Sequence, residues 1–181
     1  MDFRTVLSLL IKNFDENNIR YGLIGGFALI LLGVPRTTVD LDFLVHKCDL
    51  EKLNRIMGKI GYKLVFQSEN VSQYVSDRSS LGEVDFLHAF RNYEIKMLKH
   101  SQPMKFNDLS IMVLKPEDII GLKVQAMVND IARKNKELAD IESILEKCKE
   151  QINWRNIKEY FVLFELDEEY KTLENRYGDA N

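Results

Sequence analysis

Positions 25–45 decide the fold: Gly25-Gly26-Phe27-Ala28-Leu29-Ile30-Leu31-Leu32-Gly33, then Val34-Pro35-Arg36-Thr37-Thr38, then Val39-Asp40-Leu41-Asp42-Phe43-Leu44-Val45. The apolar run 19–25 reads as a strand that breaks at the paired glycines into a tight turn. A short buried helix follows and stops at Gly33. Pro35 disfavours helix in the residue before it, so 34–38 reads as a loop. The spacing then predicts a strand over 39–45, with Val39, Leu41, Phe43 and Val45 on one face and Asp40 and Asp42 side by side on the other. Adjacent carboxylates repel, and a divalent cation such as Mg²⁺ is the natural counter-charge for carboxylate oxygens. Bare backbone N–H groups at Gly25-Gly26, opening onto a helix, add an anion cradle. Together they form a kit for phosphoryl or nucleotidyl transfer.

Working outward, 2–17 places Phe3, Val6, Leu7, Leu10, Ile11 and Phe14 at helical spacing. A third helix is expected over 50–60 with Asp49 as its N-cap. Strands are expected at 62–67 and 72–76, as an antiparallel pair, and at 83–89 and 109–114; 94–100 reads as a short helix or a loop. In Glu83-Val84-Asp85-Phe86-Leu87, alternation puts Asp85 opposite Val84 and Phe86, so a neighbouring position would bring a third carboxylate to Asp40 and Asp42. From Pro116 onward the pattern is helical: 116–131, 136–149, 154–164 and 168–175, with a frayed tail over 177–181. The expected organisation is a mixed α/β body over 1–115 and a C-terminal helical region over 116–181 packed on it.

The 181 residues are 45% hydrophobic and 29% charged, with net charge −3, which excludes a disordered, collagen-like or disulfide-rich chain. The mild acidity argues against a sequence-independent nucleic-acid coater. No apolar run approaches a membrane span, and the start lacks a signal-peptide pattern. Cys48 and Cys148 fit no metal spacing and read as free thiols, so the expected location is the cytoplasm.

Gly25-Gly26, thirteen intervening residues, Asp40-Leu41-Asp42 and the later Asp85 together resemble the DNA polymerase β-like nucleotidyltransferase superfamily. Leu122-Lys123-x-x-Ala126, followed by Arg133-x-x-Lys136-Glu137-x-x-Asp140-Ile141, is similar to its minimal bacterial branch, which includes the toxins of type IV toxin–antitoxin (abortive infection) systems. The chain departs from that branch at Glu137, where Asp is expected, and at Asp130, where a basic residue is frequent. The resemblance implies an α/β (α+β) fold, a mixed β-sheet flanked by helices. It implies an enzyme moving NMP from an NTP to an acceptor hydroxyl with Mg²⁺, as two ions. Asp40, Asp42 and Asp85 would be the catalytic and metal-binding residues. Gly25 and Gly26 would contact the triphosphate, Lys123 would neutralise phosphate charge, and Arg36 or Thr38 would steady the nucleotide. The base would be Asp85 or, as the toxin branch allows, Asp140.

Plainer readings stand beside these. Lys123 alone would be a surface helix residue, and Asp140 in its charged run would sit on a solvated face. His88 reads as a neutral structural histidine, and Trp154, Tyr160, Phe161 and Phe164 as helix packing. The acceptor is a tRNA end, a protein or a small molecule, and the partners implied are an antitoxin protein and a second copy in a homodimer, with no membrane. An antibiotic acceptor is disfavoured by the short C-terminal region unless a dimer completes the pocket. The alternative function is a non-catalytic nucleotide-binding or interaction module on the same fold.

Overall fold

The computed structural model describes residues 1–178, so the last three positions of the expected frayed tail lie outside the described residues. The chain divides into two compact units: Met1–Leu31 with Pro35–Leu114, and Leu32–Val34 with the chain from Lys115 onward.

The first unit holds α1 (Phe3–Glu16), β1 (Tyr21–Ile24), α2 (Gly25–Leu31), β2 (Leu41–His46), α3 (Leu50–Lys59), β3 (Lys63–Gln67), β4 (Val71–Val75), β5 (Glu83–Ala89), α4 (Asn92–His100), β6 (Gln102–Phe106) and β7 (Leu109–Val113). Asp2 caps α1 by accepting from the Thr5 backbone N–H. The strands form one mixed sheet in the order β3-β4-β5-β2-β1-β7-β6. In it β2 runs antiparallel to β1 but parallel to β5. One sheet face is buried by aromatic packing: Phe43 stacks on Phe86 at 5.6 Å, and Phe14 of α1 meets both edge-on at 5.7 and 6.2 Å. Tyr74 adds a further edge contact to Phe86. Offset and edge-to-face arrangements suit the ring quadrupoles, and losing one such ring costs about 3–5 kcal/mol.

The second unit holds α5 (Pro116–Asn129), α6 (Lys134–Lys147), α7 (Trp154–Leu163) and α8 (Asp167–Tyr177). Pro116 opens α5 at a position where a missing N–H costs nothing. A Cβ on Gly121 would lie 2.7 Å from the Tyr160 ring, so glycine lets α5 and α7 approach closely. The Tyr160 hydroxyl donates to Asp118 Oδ1 at 2.6 Å in the same contact. Phe161 packs against Tyr170, and Trp154 meets Tyr170 edge-on, so Trp154, Tyr160 and Phe161 pack helices as expected.

Several expectations need correction. The strand expected from position 39 starts at Leu41, and Val39 is 76% exposed. Strand β1 ends at Ile24, opposite Asp42, because the chain turns into α2 at Gly25, so positions 39 and 40 find no partner there. Asp49 does not cap the helix; its Oδ2 accepts from Arg20 N and Nε, at 3.3 and 3.0 Å. Strand β6 was not expected at all. It is an edge strand, where Pro103 is tolerated, joined to β7 by a two-residue turn with Asn107 at φ 54°.

Candidate active site

The packing that buries Leu41, Phe43 and Val45 of β2, with Val84 and Phe86 of β5, turns Asp42 and Asp85 to the opposite face. Because β2 and β5 pair in parallel, Asp42 stands directly beside Asp85. The same register places Gln73 of β4 beside Asp85 on its other side. The site face therefore reads Asp42, Asp85, Gln73 across three neighbouring strands.

Gly25 closes the row at the β1 end. It sits at φ 65°, and a Cβ there would fall 1.9 Å from Asp42 Oδ2, so the Asp42 carboxylate occupies the space a side chain would fill. Gly26 does the same for Thr38, whose Oγ1 would lie 2.6 Å from a Cβ. Thr38 Oγ1 in turn donates to Asp40 Oδ1 at 2.6 Å. That local bond holds Asp40 in a bend just before β2 instead of in the strand. Arg36 lies half-buried in the same connection.

The Asp85 carboxyl is perturbed. Burial pushes its carboxyl above the usual range, the Gln73 hydrogen bond opposes this, and the Asp40 charge adds to it. Burial, with the charges of Asp85 and then Asp40, also raises Glu83. Gln73 Nε2 donates to Asp85 Oδ2 at 3.0 Å, whereas Asp85 Oδ1 is buried with no hydrogen-bond partner. A buried, unsatisfied carboxylate oxygen is costly unless something else occupies it. Among the described residues, no three His, Cys, Asp or Glu side chains are drawn together tightly enough to hold a metal by themselves. Mg²⁺ does not need three. It is usually bound through one or two carboxylates with waters and substrate phosphates filling the rest. The all-oxygen donors Asp42 and Asp85, with Asp85 Oδ1 unpartnered, fit such an ion.

Lys123, expected to neutralise phosphate, lies in the second unit with its ammonium between two carboxylates, at 2.8 Å from Glu137 Oε2 and 2.6 Å from Asp140 Oδ2. Arg133 Nη2 also reaches Glu137 Oε1, at 2.6 Å. Burial pushes the Glu137 carboxyl up, but the hydrogen bonds and charges of Lys123 and Arg133 outweigh it and hold its pKa below the ordinary value. Asp140 is not on a solvated face: it is buried, 6% exposed, because Lys123 supplies its counter-charge. The lysine and the acids of the two sequence stretches are thus one ion network. His88 is buried and held by Glu69 O and Ser72 Oγ, and burial lowers its pKa, in keeping with a neutral structural role.

Gln73 carries no motif and escaped the sequence reading. Its signal was the hairpin itself: β4 and β5 fold about the turn near Ser79, and that symmetry pairs positions 73 and 85.

A protein family described as uncharacterised nucleotidyltransferase matches residues 3–168. No curated protein is similar enough in sequence to count as a relative. Among solved structures, the solution structure of the antibiotic-resistance factor ANT(2″)-Ia is 18% identical over 97% of this chain and 98% of its own, with a TM-score of 0.68. A crystal structure of ANT(2″)-Ia with adenylyl-2″-tobramycin is 13% identical over 89% of this chain and 95% of its own, with a TM-score of 0.66. The lincosamide antibiotic adenylyltransferase LnuA, bound to lincomycin, is 15% identical over 77% of this chain and 94% of its own, with a TM-score of 0.55. At these identities the likeness shows the fold, a mixed sheet flanked by helices. No helix among the described residues is long and apolar enough to cross a membrane.

Proposed function

Given that the chain belongs to this nucleotidyltransferase family, we propose that it moves a nucleoside monophosphate from an NTP, with ATP as the first candidate, to a hydroxyl of a small molecule. The acceptor oxygen bonds to the α-phosphorus, the bond from that phosphorus to the bridging oxygen breaks, and pyrophosphate leaves. The acceptor proton passes to a carboxylate. The observation that carries this reading is the Asp42–Asp85 pair, side by side on β2 and β5, with Asp85 Oδ1 unpartnered.

Asp42 and Asp85 would hold Mg²⁺, with Asp40 beside them, and bound Mg²⁺ would neutralise triphosphate charge and lower the pKa of the acceptor hydroxyl. Asp85 is the group to take the proton, because its Oδ1 is left without a hydrogen-bond partner. Gly25 and Gly26 let the Asp42 and Thr38 side chains pack directly on the turn, its backbone N–H groups would contact phosphate oxygens, and Arg36 lies in the connection that follows. Lys123 is engaged by Glu137 and Asp140 within the second unit, so no phosphate role is assigned to it in this reading.

A small-molecule acceptor is favoured because the chain matches ANT(2″)-Ia, which carries an adenylylated tobramycin, over almost its whole length. A short C-terminal region is therefore no bar to a small acceptor on this fold. A tRNA end or a protein hydroxyl, the toxin-like acceptors, are the competing outcomes of the test.

The test incubates the full chain with α-labelled ATP, Mg²⁺ and a panel of aminoglycosides, lincosamides, tRNA and the protein itself. Label transfer with pyrophosphate release, lost in Asp42→Asn and Asp85→Asn, is expected. Those variants should stay folded, since Asn keeps the shape and removes a half-buried charge. Label moving only to tRNA or protein would overturn the small-molecule acceptor. ATP binding without turnover would favour the non-catalytic module, and transfer undiminished in both variants would sink the site.

A further inference from the structure

Asp85 has two oxygens in different situations. Oδ2 accepts from Gln73 Nε2 at 3.0 Å, and Oδ1 is buried without a hydrogen-bond partner. The side-chain amide of a glutamine has a donor end and an acceptor end. Only the NH₂ end can face an ionised carboxylate, so the orientation follows from charge alone. Reach is set by register. Residues directly opposite on antiparallel strands have Cβ atoms about 5 Å apart. The two methylenes of Gln73 and the one of Asp85 span that gap. Asn would be a methylene short, and Glu would set a further negative charge against Asp40, Glu83 and Asp85. Gln73 is itself fixed in the sheet, paired with Phe66 of β3 on one side and Asp85 on the other.

We propose that Gln73 is a positioning residue for the transfer: by engaging Asp85 Oδ2 it holds the carboxylate plane in one orientation and leaves Oδ1 for the metal and the acceptor hydroxyl. The inference rests on the reading of Asp85 as a site residue given above. It assigns a role to a strand residue that touches none of the reacting atoms. Hydrogen-bond partners of metal-binding carboxylates typically contribute ten- to a hundredfold in metal affinity or activity, which sets the expected scale.

Two measurements on the full chain test it. The first needs neither metal nor substrate: in ¹H–¹⁵N spectra, one Gln73 side-chain amide proton should be shifted away from free glutamine amides and slowed in exchange. Both features should vanish in Asp85→Ala. The second is Mn²⁺ binding in the presence of ATP, followed by electron paramagnetic resonance. Gln73→Leu, which keeps the bulk and removes the donor, should weaken Mn²⁺ binding about tenfold or more. It should also lower kcat by a similar factor while leaving KM for ATP within about twofold; Gln73→Glu should be worse than Gln73→Leu. An amide signal indifferent to Asp85→Ala would overturn the contact. Wild-type Mn²⁺ affinity and kcat in Gln73→Leu would overturn the role while leaving the proposed function intact. A wild-type chain that takes up no Mn²⁺ with ATP would remove the site reading, and this inference with it.

Discussion

Replacing Gly25 by alanine tests the site where its geometry is tightest. Two penalties can be separated. The backbone stands at φ 65°, which an L side chain adopts at a cost of about 1–2 kcal/mol. For a chain of this size that corresponds to a fall in Tm of roughly 2–8 °C. The new Cβ would also sit 1.9 Å from Asp42 Oδ2, 2.5 Å from its Cγ and 2.7 Å from its Cβ. Since Oδ2, Cγ and Cβ of Asp42 all lie inside contact distance, Asp42 must move by about 1 Å, and a misplacement of that size at a reacting centre costs on the order of 10²-fold in rate. Gly33 is the matched control. It sits at φ 82°, and a Cβ there meets nothing within 4 Å. Thermal melts should show a larger loss for Gly25→Ala than for Gly33→Ala, since displacing Asp42 adds about 1–3 kcal/mol to the shared backbone strain, while label transfer from ATP should fall about a hundredfold in the first and stay near wild type in the second. Gly25→Ala with wild-type turnover would refute the argument, as would equal loss of turnover in both.

Two further predictions concern the ion network of the second unit. Lys123→Met leaves Glu137 and Asp140 buried without their shared cation and should cost about 3–5 kcal/mol in urea denaturation; a loss under about 1 kcal/mol would show that the network does not support the helices. The Glu137 carboxyl is held below its ordinary value of 4.5, so its contribution is complete above that pH and is lost as the pH falls through the folded-state value. Stability should therefore drop on acidification below about pH 4.5, and Glu137→Gln should flatten that slope, which acid titrations of the melting midpoint will read.

What was legible in the sequence was short-range. Gly25, Gly26, Thr38, Asp40 and Asp42 lie within one strand–helix–strand passage, and local spacing puts Asp42 on β2, although Asp40, read as its strand neighbour, lies in the bend just before it. Asp85 was legible because strand alternation turns it away from Val84 and Phe86. What stayed hidden depends on pairing or packing between distant segments. Val39 looked like core until β1 proved too short to reach it. The hairpin of β6 and β7 was masked by Pro103, though its Asn107-Asp108 turn was in plain view. Asp140 looked solvated because a helical wheel does not show that Lys123 of α5 points at it. Gln73 was silent for the same reason: its partner belongs to another strand.

The parallel pairing of β2 with β5 has a consequence for how activity is acquired during folding. Asp85 and Gln73 meet across a local hairpin, whereas Asp42 and Asp85 lie roughly 40 positions apart with a helix and two strands between them, a closure that folds slowly. A chain that has formed the β3–β4–β5 meander but not docked β2 already owns the Gln73–Asp85 bond and still lacks the carboxylate pair. Competence for transfer is thus tied to a long-range pairing of the sheet, and turnover should return on refolding together with that pairing, not with the first appearance of strand structure.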